Sequence, residues 1–147
     1  MAVLAFDLGA GSGRALLGRL TDSRIQAEEI HRFPNDPVAV GDRLHWDILR
    51  LYHEIKQGLL IAGSRCEDIR SIGIDSWAVD YGLLDANGEL LGNPYHYRDR
   101  RTDGMMERLF ERVAADEIFA RTGIQFLPFN TIPPYPRADR AAVRMEV

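Results

Sequence analysis

Apolar and polar positions alternate in blocks from the start of the chain. Val3, Leu4, Ala5 and Phe6 form an apolar run that ends at Asp7. Gly9, Gly11 and Gly13 follow, and Arg14 opens a second run through Ala15, Leu16 and Leu17. Short apolar runs bounded by turn formers read as strands, so the opening predicts strand, glycine turn, strand. Residues 25–33 predict a third strand, paired with the second through a turn at 21–24, and its imperfect alternation suits a sheet edge. Phe33-Pro-Asn-Asp-Pro37 is a loop, and residues 43–46 add a short strand.

Asp47 is a helix N-cap residue. Ile48, Leu51, Tyr52, Ile55, Leu59 and Ala62 then recur at helical spacing, and Gly63 is placed to stop the helix. This predicts one buried face, with His53 and Glu54 off it and in solvent. Residues 69–75 form a second strong strand, and it too ends in a carboxylate, Asp75. A strand reached directly from a helix should lie parallel to the first through a right-handed crossover. Ligands in open α/β sheets bind beyond the carboxyl ends of strands, so Asp7 and Asp75 should point towards one mouth.

The remainder is less regular. Asp85-Ala-Asn-Gly88 is a hairpin-type turn signal, and strand propensity is high over residues 95–97. Thr102 or Asp103 should cap a helix that buries Met106, Leu109, Phe110 and Val113. Residues 116–122 predict a shorter helix ended by Gly123, and 124–130 an extended apolar segment. Pro133, Pro134 and Pro136 break any regular element, and the charged, Ala-rich residues after them show no apolar face. The division expected is a domain over 1–132 and a loose tail over 133–147.

At 147 residues with 46% apolar and 27% charged content, the chain carries one domain's worth of core. A net charge of −4 argues against bulk nucleic-acid or acidic-membrane binding. No stretch reaches membrane-spanning length and no basic-then-apolar leader opens the chain. The single cysteine, Cys66, excludes an internal disulfide and fits a reducing cytoplasm. His31, His45, His53 and His96 have no metal-ligand spacing with it or with each other.

The chemistry concentrates in the glycine turn. Glycine admits positive φ and lets a ligand approach the backbone, and successive N–H groups in a turn can cradle an anion. A carboxylate beside a phosphate suits Mg²⁺, which keeps waters and phosphate oxygens. A P-loop would need Lys-Ser/Thr where the chain has Arg14-Ala15, and a dinucleotide turn would need a helix where a second strand is predicted. An ordinary glycine-rich hairpin, with Arg14 simply pairing Asp7, stays open beside the phosphate reading.

In order, strand–Asp7–glycine turn–strand–strand–helix–strand–Asp75 resembles the opening of the actin-like, ribonuclease H-like ATPase fold, an α/β class. Within it the chain is similar to the FGGY carbohydrate kinases, and among these to the rhamnulokinases. Asp7-Leu-Gly-Ala-Gly-Ser-Gly-Arg14 resembles the family's first phosphate segment, and Ser71-Ile-Gly-Ile-Asp-Ser-Trp-Ala-Val-Asp80 its sugar-site strand. Residues 29–33, 44–47, 97–102 and 123–131 match further landmarks, so the likeness covers about 1–132. The turn alone would be a weak signal; the set together is specific.

The resemblance implies an ATP- and Mg²⁺-dependent phosphotransferase with a sugar alcohol acceptor, L-rhamnulose, giving the 1-phosphate. It implies that Ala10, Gly11, Ser12, Gly13 and Arg14 contact the ATP phosphates and that Asp7 sits at the metal. Trp77, Ala78 and Asp80 would meet the sugar, with Arg98 facing the site. Ala78 stands where the family often has Gly, so its methyl would narrow the pocket. For each there is a plainer role: Trp77 as packing, Asp75 as a turn cap, Asp80 as a solvated turn residue, Arg98 as part of a surface ion-pair cluster.

The resemblance also places the family's catalytic base, an Asp, and its adenosine site beyond residue 132. The expectation is a truncated piece, inactive alone, with none of its own residues as the catalytic base. Two alternatives compete: a ribonuclease H-like nuclease holding metals on Asp7, Asp75, Asp80 or Asp103, disfavoured by the acidic charge, and a non-enzymatic remnant.

Overall fold

The computed structural model describes residues 1–77, 79–129 and 143–146. In chain order the elements are β1 (Ala2–Leu8), β2 (Ser12–Thr21), β3 (Arg24–Pro34), β4 (Val38–Val40), β5 (Arg43–His45), α1 (Ile48–Arg65), β6 (Ile69–Asp75), β7 (Tyr81–Leu84), a 3₁₀ turn (Arg100–Thr102), α2 (Met105–Phe110), α3 (Ala115–Thr122) and β8 (Val143–Glu146). They fall into two compact units, residues 1–38 with 46–77, and residues 39–45 with 79–129 and 143–146.

The first unit is a four-stranded mixed sheet, β3-β2-β1-β6, with α1 on one face. The β1–β2 pair is antiparallel and β1–β6 parallel, as the strand–helix–strand order predicts. Alternation along β1 buries Ala2, Leu4, Phe6 and Leu8 and leaves Ala5 exposed, the period-two pattern of a half-covered strand. These side chains meet Ala15 and Leu17 of β2, Ile30 and Phe33 of β3, and Leu51 and Ala62 of α1. β2 and β3 join through Asp22 and Ser23, both with positive φ (49° and 64°), the geometry that lets a two-residue hairpin follow the strand twist. A bulge opposite Ala15 and Leu16 leaves Ile30 unpaired in β3. It allows neighbouring Ile30 and His31 both to turn towards α1, Ile30 into the core and His31 onto Glu54.

Helix α1 corrects the predicted face. Asp47 caps it as expected, its carboxylate accepting from the N–H of Arg50 at 3.0 Å. The buried residues, however, are Leu51, Glu54, Gly58 and Ala62. Tyr52 and Leu59, expected inside, are 62% and 38% exposed, while Glu54, expected in solvent, is buried. Gly58 explains the rotation: a Cβ there would lie 2.6 Å from Phe6, so the helix reaches the sheet most closely on the one residue that lacks it. Gly63 does not stop the helix, which continues to Arg65 and is closed by the N–H of Cys66 donating to the Ala62 carbonyl.

The second unit holds the β4–β5 ribbon, the antiparallel β7–β8 pair, α2 and α3. Residues 95–97 do not form a strand; Tyr95 makes only a single bridge to His45. The cap of α2 is Gly104, with φ 72°, in place of Thr102 or Asp103. Its predicted buried face is only half formed: Met106 and Leu109 are half-buried, Phe110 and Val113 are 36% and 37% exposed, and no residue of α2 is fully buried. α3 ends at Gly123, φ 64°, as its sequence predicts. Of the segment expected to be a loose tail, Val143–Glu146 pairs with β7, and residues 130–142 and 147 lie outside the described residues.

Candidate functional site

Strand register lines four charges across the open face of the first sheet. Asp7 of β1 is directly opposite Arg14 of β2 on one side and Asp75 of β6 on the other. Arg14 is opposite Arg32 of β3. The row therefore runs Arg32, Arg14, Asp7, Asp75, at the carboxyl ends of β1 and β6. The sheet pleat decides this: Phe6 and Ala15 face α1, so their neighbours Asp7 and Arg14 face away.

Within the row, Arg14 Nε and Nη2 donate to the same oxygen of Asp7, Oδ2, at 2.8 and 2.6 Å. Both side chains are partly open, 42% and 39% exposed. Among the described residues Asp7 Oδ1 takes no further bond. Arg32 is engaged by Glu29 at 2.8 and 2.5 Å and reaches Ser12 Oγ at 3.3 Å. The hydrogen bond from Arg32 holds the Glu29 carboxyl below its ordinary range.

The glycine turn crosses between β1 and β2 at the end of this row. The N–H of Gly9 donates to the Ser12 carbonyl at 3.0 Å, leaving Ala10 and Gly11 at the tip. None of its glycines has a positive φ, so conformational freedom is not their reason. Two other reasons replace it. A Cβ at Gly13 would lie 2.2 Å from Phe33, so Gly13 serves packing. A Cβ at Gly11 would meet nothing within 4 Å, so Gly11 leaves the open side of the tip bare. Beneath the turn, buried Asn35 donates from Nδ2 to the Gly9 carbonyl at 2.8 Å and from its backbone N to the Gly11 carbonyl at 3.2 Å.

The residues expected at the sugar divide between the two units. Trp77, in the first, stacks on fully buried Trp46 with centroids 4.1 Å apart, and it packs against the core. In the second, Asp80 Oδ2 accepts from the N–H of Tyr97 at 3.1 Å, and the Arg98 guanidinium sits over the Tyr97 ring at 5.1 Å. Asp80 and Arg98 thus meet on one aromatic residue. Next to them His96 is buried, and burial, aided by the charge of Arg98, pushes its imidazole below the ordinary range. Ala78 lies outside the described residues. Sequence reasoning missed Asn35, Arg32 and Trp46. Only hairpin register brings the first two to the turn, and a loop asparagine after Pro34 carries no local sign of it.

Mg²⁺ commonly takes one or two carboxylates and completes its shell with water and phosphate. Asp7, turned by Arg14 and with Asp75 beside it in register, fits that need. Among the described residues no three His, Cys, Asp or Glu side chains converge. Of the acids named in the nuclease alternative, Asp80 is held by Tyr97 and Asp103 pairs with Arg100 at 3.3 Å.

Residues 2–134 match the N-terminal domain of the FGGY family of carbohydrate kinases. The chain belongs to that family. It is 47% identical over 128 residues to the rhamnulokinase of Bacteroides thetaiotaomicron, covering 87% of this chain and 26% of that protein. To the rhamnulokinase of Bacillus subtilis it is 40% identical over 144 residues, 98% of this chain and 30% of the relative. The FGGY chain thus spans between a quarter and a third of the length of these relatives. Among solved structures it resembles ligand-bound xylulose kinase from Lactobacillus acidophilus, with TM-score 0.72 at 15% identity over 87% of this chain and 26% of that one. It also resembles Plasmodium falciparum glycerol kinase with ADP, with TM-score 0.67 at 16% identity over 88% and 26%. These likenesses give the fold, the actin-like kinase fold expected from the order of elements. No finding favours a nuclease. No helix among the described residues is long and apolar enough to cross a membrane.

Proposed function

We propose that the chain is the N-terminal portion of a cytoplasmic kinase that transfers phosphate from ATP, with Mg²⁺, to L-rhamnulose, giving the 1-phosphate. The observation that carries this is the Asp7–Arg14 pair beside the bare tip of the glycine turn. The rhamnulokinase relatives, at 40% identity and above, favour the ketose over other sugars. Bound ATP supplies the phosphoryl group, and Mg²⁺ offsets charge on its phosphates.

The chain's own residues bind and orient. N–H groups of Ala10, Gly11 and Ser12 donate to phosphate oxygens, with the Ser12 hydroxyl beside them, while Gly13 is paired within the sheet. Arg14 holds Asp7 turned, so that Oδ1 is presented to a cation, and Arg14 adds positive charge on the phosphate side. Trp77, Ala78, Asp80 and Arg98 are proposed to meet the sugar; Trp77 is fixed by Trp46, Asp80 is oriented by the Tyr97 N–H, and the Arg98 guanidinium lies over the Tyr97 ring. In-line transfer needs donor, acceptor and base held together, so turnover is proposed of a protein of the relatives' length. The 147 residues alone are proposed to bind without turnover.

The test is an amide NMR titration of the chain with Mg·ATP and, separately, with L-rhamnulose. Shifts confined to residues 10–14 with the nucleotide, and to 76–82 with the sugar, are expected. Nucleotide shifts elsewhere, with 10–14 unmoved, would overturn the phosphate assignment. A stronger response of residues 76–82 to an aldose than to L-rhamnulose would overturn the substrate.

A further inference from the structure

We propose that Asn35 is a positioning residue that aims the N–H groups of the glycine turn, an inference that rests on the reading of that turn as a phosphate cradle. Asn35 follows β3, is only 6% exposed, and makes two bonds to the same turn from two different groups. Nδ2 takes the Gly9 carbonyl and the backbone N–H takes the Gly11 carbonyl. These carbonyls belong to alternate peptide units of the tip.

The consequence follows from peptide geometry. A trans peptide is planar and its C=O and N–H point in opposite directions, and the chain has no cis bond among its described residues. Pinning the Gly9 carbonyl onto Asn35 turns the N–H of Ala10 away from Asn35. Pinning the Gly11 carbonyl does the same for the N–H of Ser12. Both donors are therefore fixed towards the side opposite Asn35 before any anion arrives. A turn of Gly9-Ala10-Gly11 would otherwise sample many orientations, because glycine backbone loses more freedom on ordering than any other. Preorganised donors cost less to use at the moment of binding than donors that must be gathered.

Asparagine suits the task for specific reasons. A buried aspartate at the same place would set an acceptor against the Gly9 carbonyl. Alanine would leave that carbonyl unsatisfied. The loop brings Asn35 under the turn only because β3 runs past β2 to its end, with Pro34 opposite Ser12 in register. Proline donates no N–H, so the next residue is the first that can close on the Gly11 carbonyl.

The experiment uses the 147-residue chain with Mg²⁺ and inorganic tripolyphosphate as the probe. In the wild type, slow exchange of the Asn35 side-chain amide protons is expected; exchange as fast as in a free asparagine overturns the proposal without any variant. In Asn35→Ala and Asn35→Asp, amide exchange at Ala10 and Ser12 should rise about tenfold or more while α1 is unchanged, and tripolyphosphate affinity should fall at least tenfold. A folded variant that keeps wild-type affinity and wild-type exchange in the turn overturns it. If the wild type shows no tripolyphosphate shifts at residues 10–14, the phosphate reading fails, and the exchange data alone decide whether Asn35 orders the turn. Should one variant fail to fold, the other variant and the wild-type side-chain exchange decide between the two outcomes.

Discussion

His31 Nε2 lies 2.7 Å from Glu54 Oε2, joining β3 to α1 through a carboxylate that is buried between them. Arg50 completes the arrangement from the previous helical turn, its Nε and Nη2 bonded to Oε1. Burial by itself raises the Glu54 carboxyl, and the bonds from His31 and Arg50 together with their charges outweigh it, so the net position is below the ordinary range. A carboxyl whose folded value is depressed stabilises the fold above its unfolded value and loses that contribution as pH falls through the folded one. Acid melts should therefore show stability declining below about pH 4.5, the ordinary value for Glu. Glu54→Gln should cost about 1.5–3 kcal/mol at neutral pH and flatten that part of the profile. A variant whose pH dependence matched the wild type would show that Glu54 does not contribute it.

Gly58 should resist alanine. In an exposed helix Gly→Ala gains up to about 1 kcal/mol. Here the new methyl would lie 2.6 Å from the Phe6 ring and 3.1 Å from the Ala15 Cβ, both in the packed core. Overpacking of that kind costs about 1–3 kcal/mol, so denaturant melts should show Gly58→Ala destabilised on balance.

Two leucines of α1 should separate cleanly. Leu51 is 4% exposed and Leu59 38%. Leu51→Ala should cost about 2–5 kcal/mol, and Leu59→Ala under about 1 kcal/mol, since much of its side chain already meets water. Equal costs in urea titrations would restore the helix face that spacing predicts.

The turn glycines should divide fold from binding. Gly13→Ala drives a methyl into Phe33 and should destabilise by about 1–3 kcal/mol. Gly11→Val meets open space and should leave stability within about 0.5 kcal/mol. It should nonetheless weaken Mg·ATP binding about tenfold, roughly 1.4 kcal/mol, because the branched side chain stands on the bare side of the tip. Calorimetric titration paired with a thermal melt of each variant reads both effects.

Much of the first unit is written locally. Strand, glycine turn, strand, strand, helix, strand follows from short apolar runs and their turn residues, and the parallel placement of β6 follows from the helix before it. The two carboxylates at strand ends mark the mouth of the sheet for the same reason. Local pattern did less for the second unit, where α2 buries no residue fully and Gly104 replaces the expected cap, because short elements there carry few periodic positions.

What the sequence by itself determined is the order of the main elements of the first unit, the family, and the glycine turn between Asp7 and Arg14 as the candidate site. Tertiary structure alone decided which side of α1 is inside. Spacing marks Leu51, Tyr52, Ile55, Leu59 and Ala62 equally, but the closest approach to the sheet occurs at Gly58 and a charged pair can be buried at Glu54, so the helix rotates onto Leu51, Glu54, Gly58 and Ala62. Tertiary structure also decided that Asn35 and Arg32 belong to the turn. Both arrive through the register of β3 against β2, Asn35 from 26 residues beyond Gly9 and Arg32 from 20 residues beyond Ser12. A contact between residues far apart in sequence leaves no periodic trace in either segment; it exists only once the bulge at Ile30 and the Asp22–Ser23 turn have fixed which residue of β3 lies opposite which residue of β2.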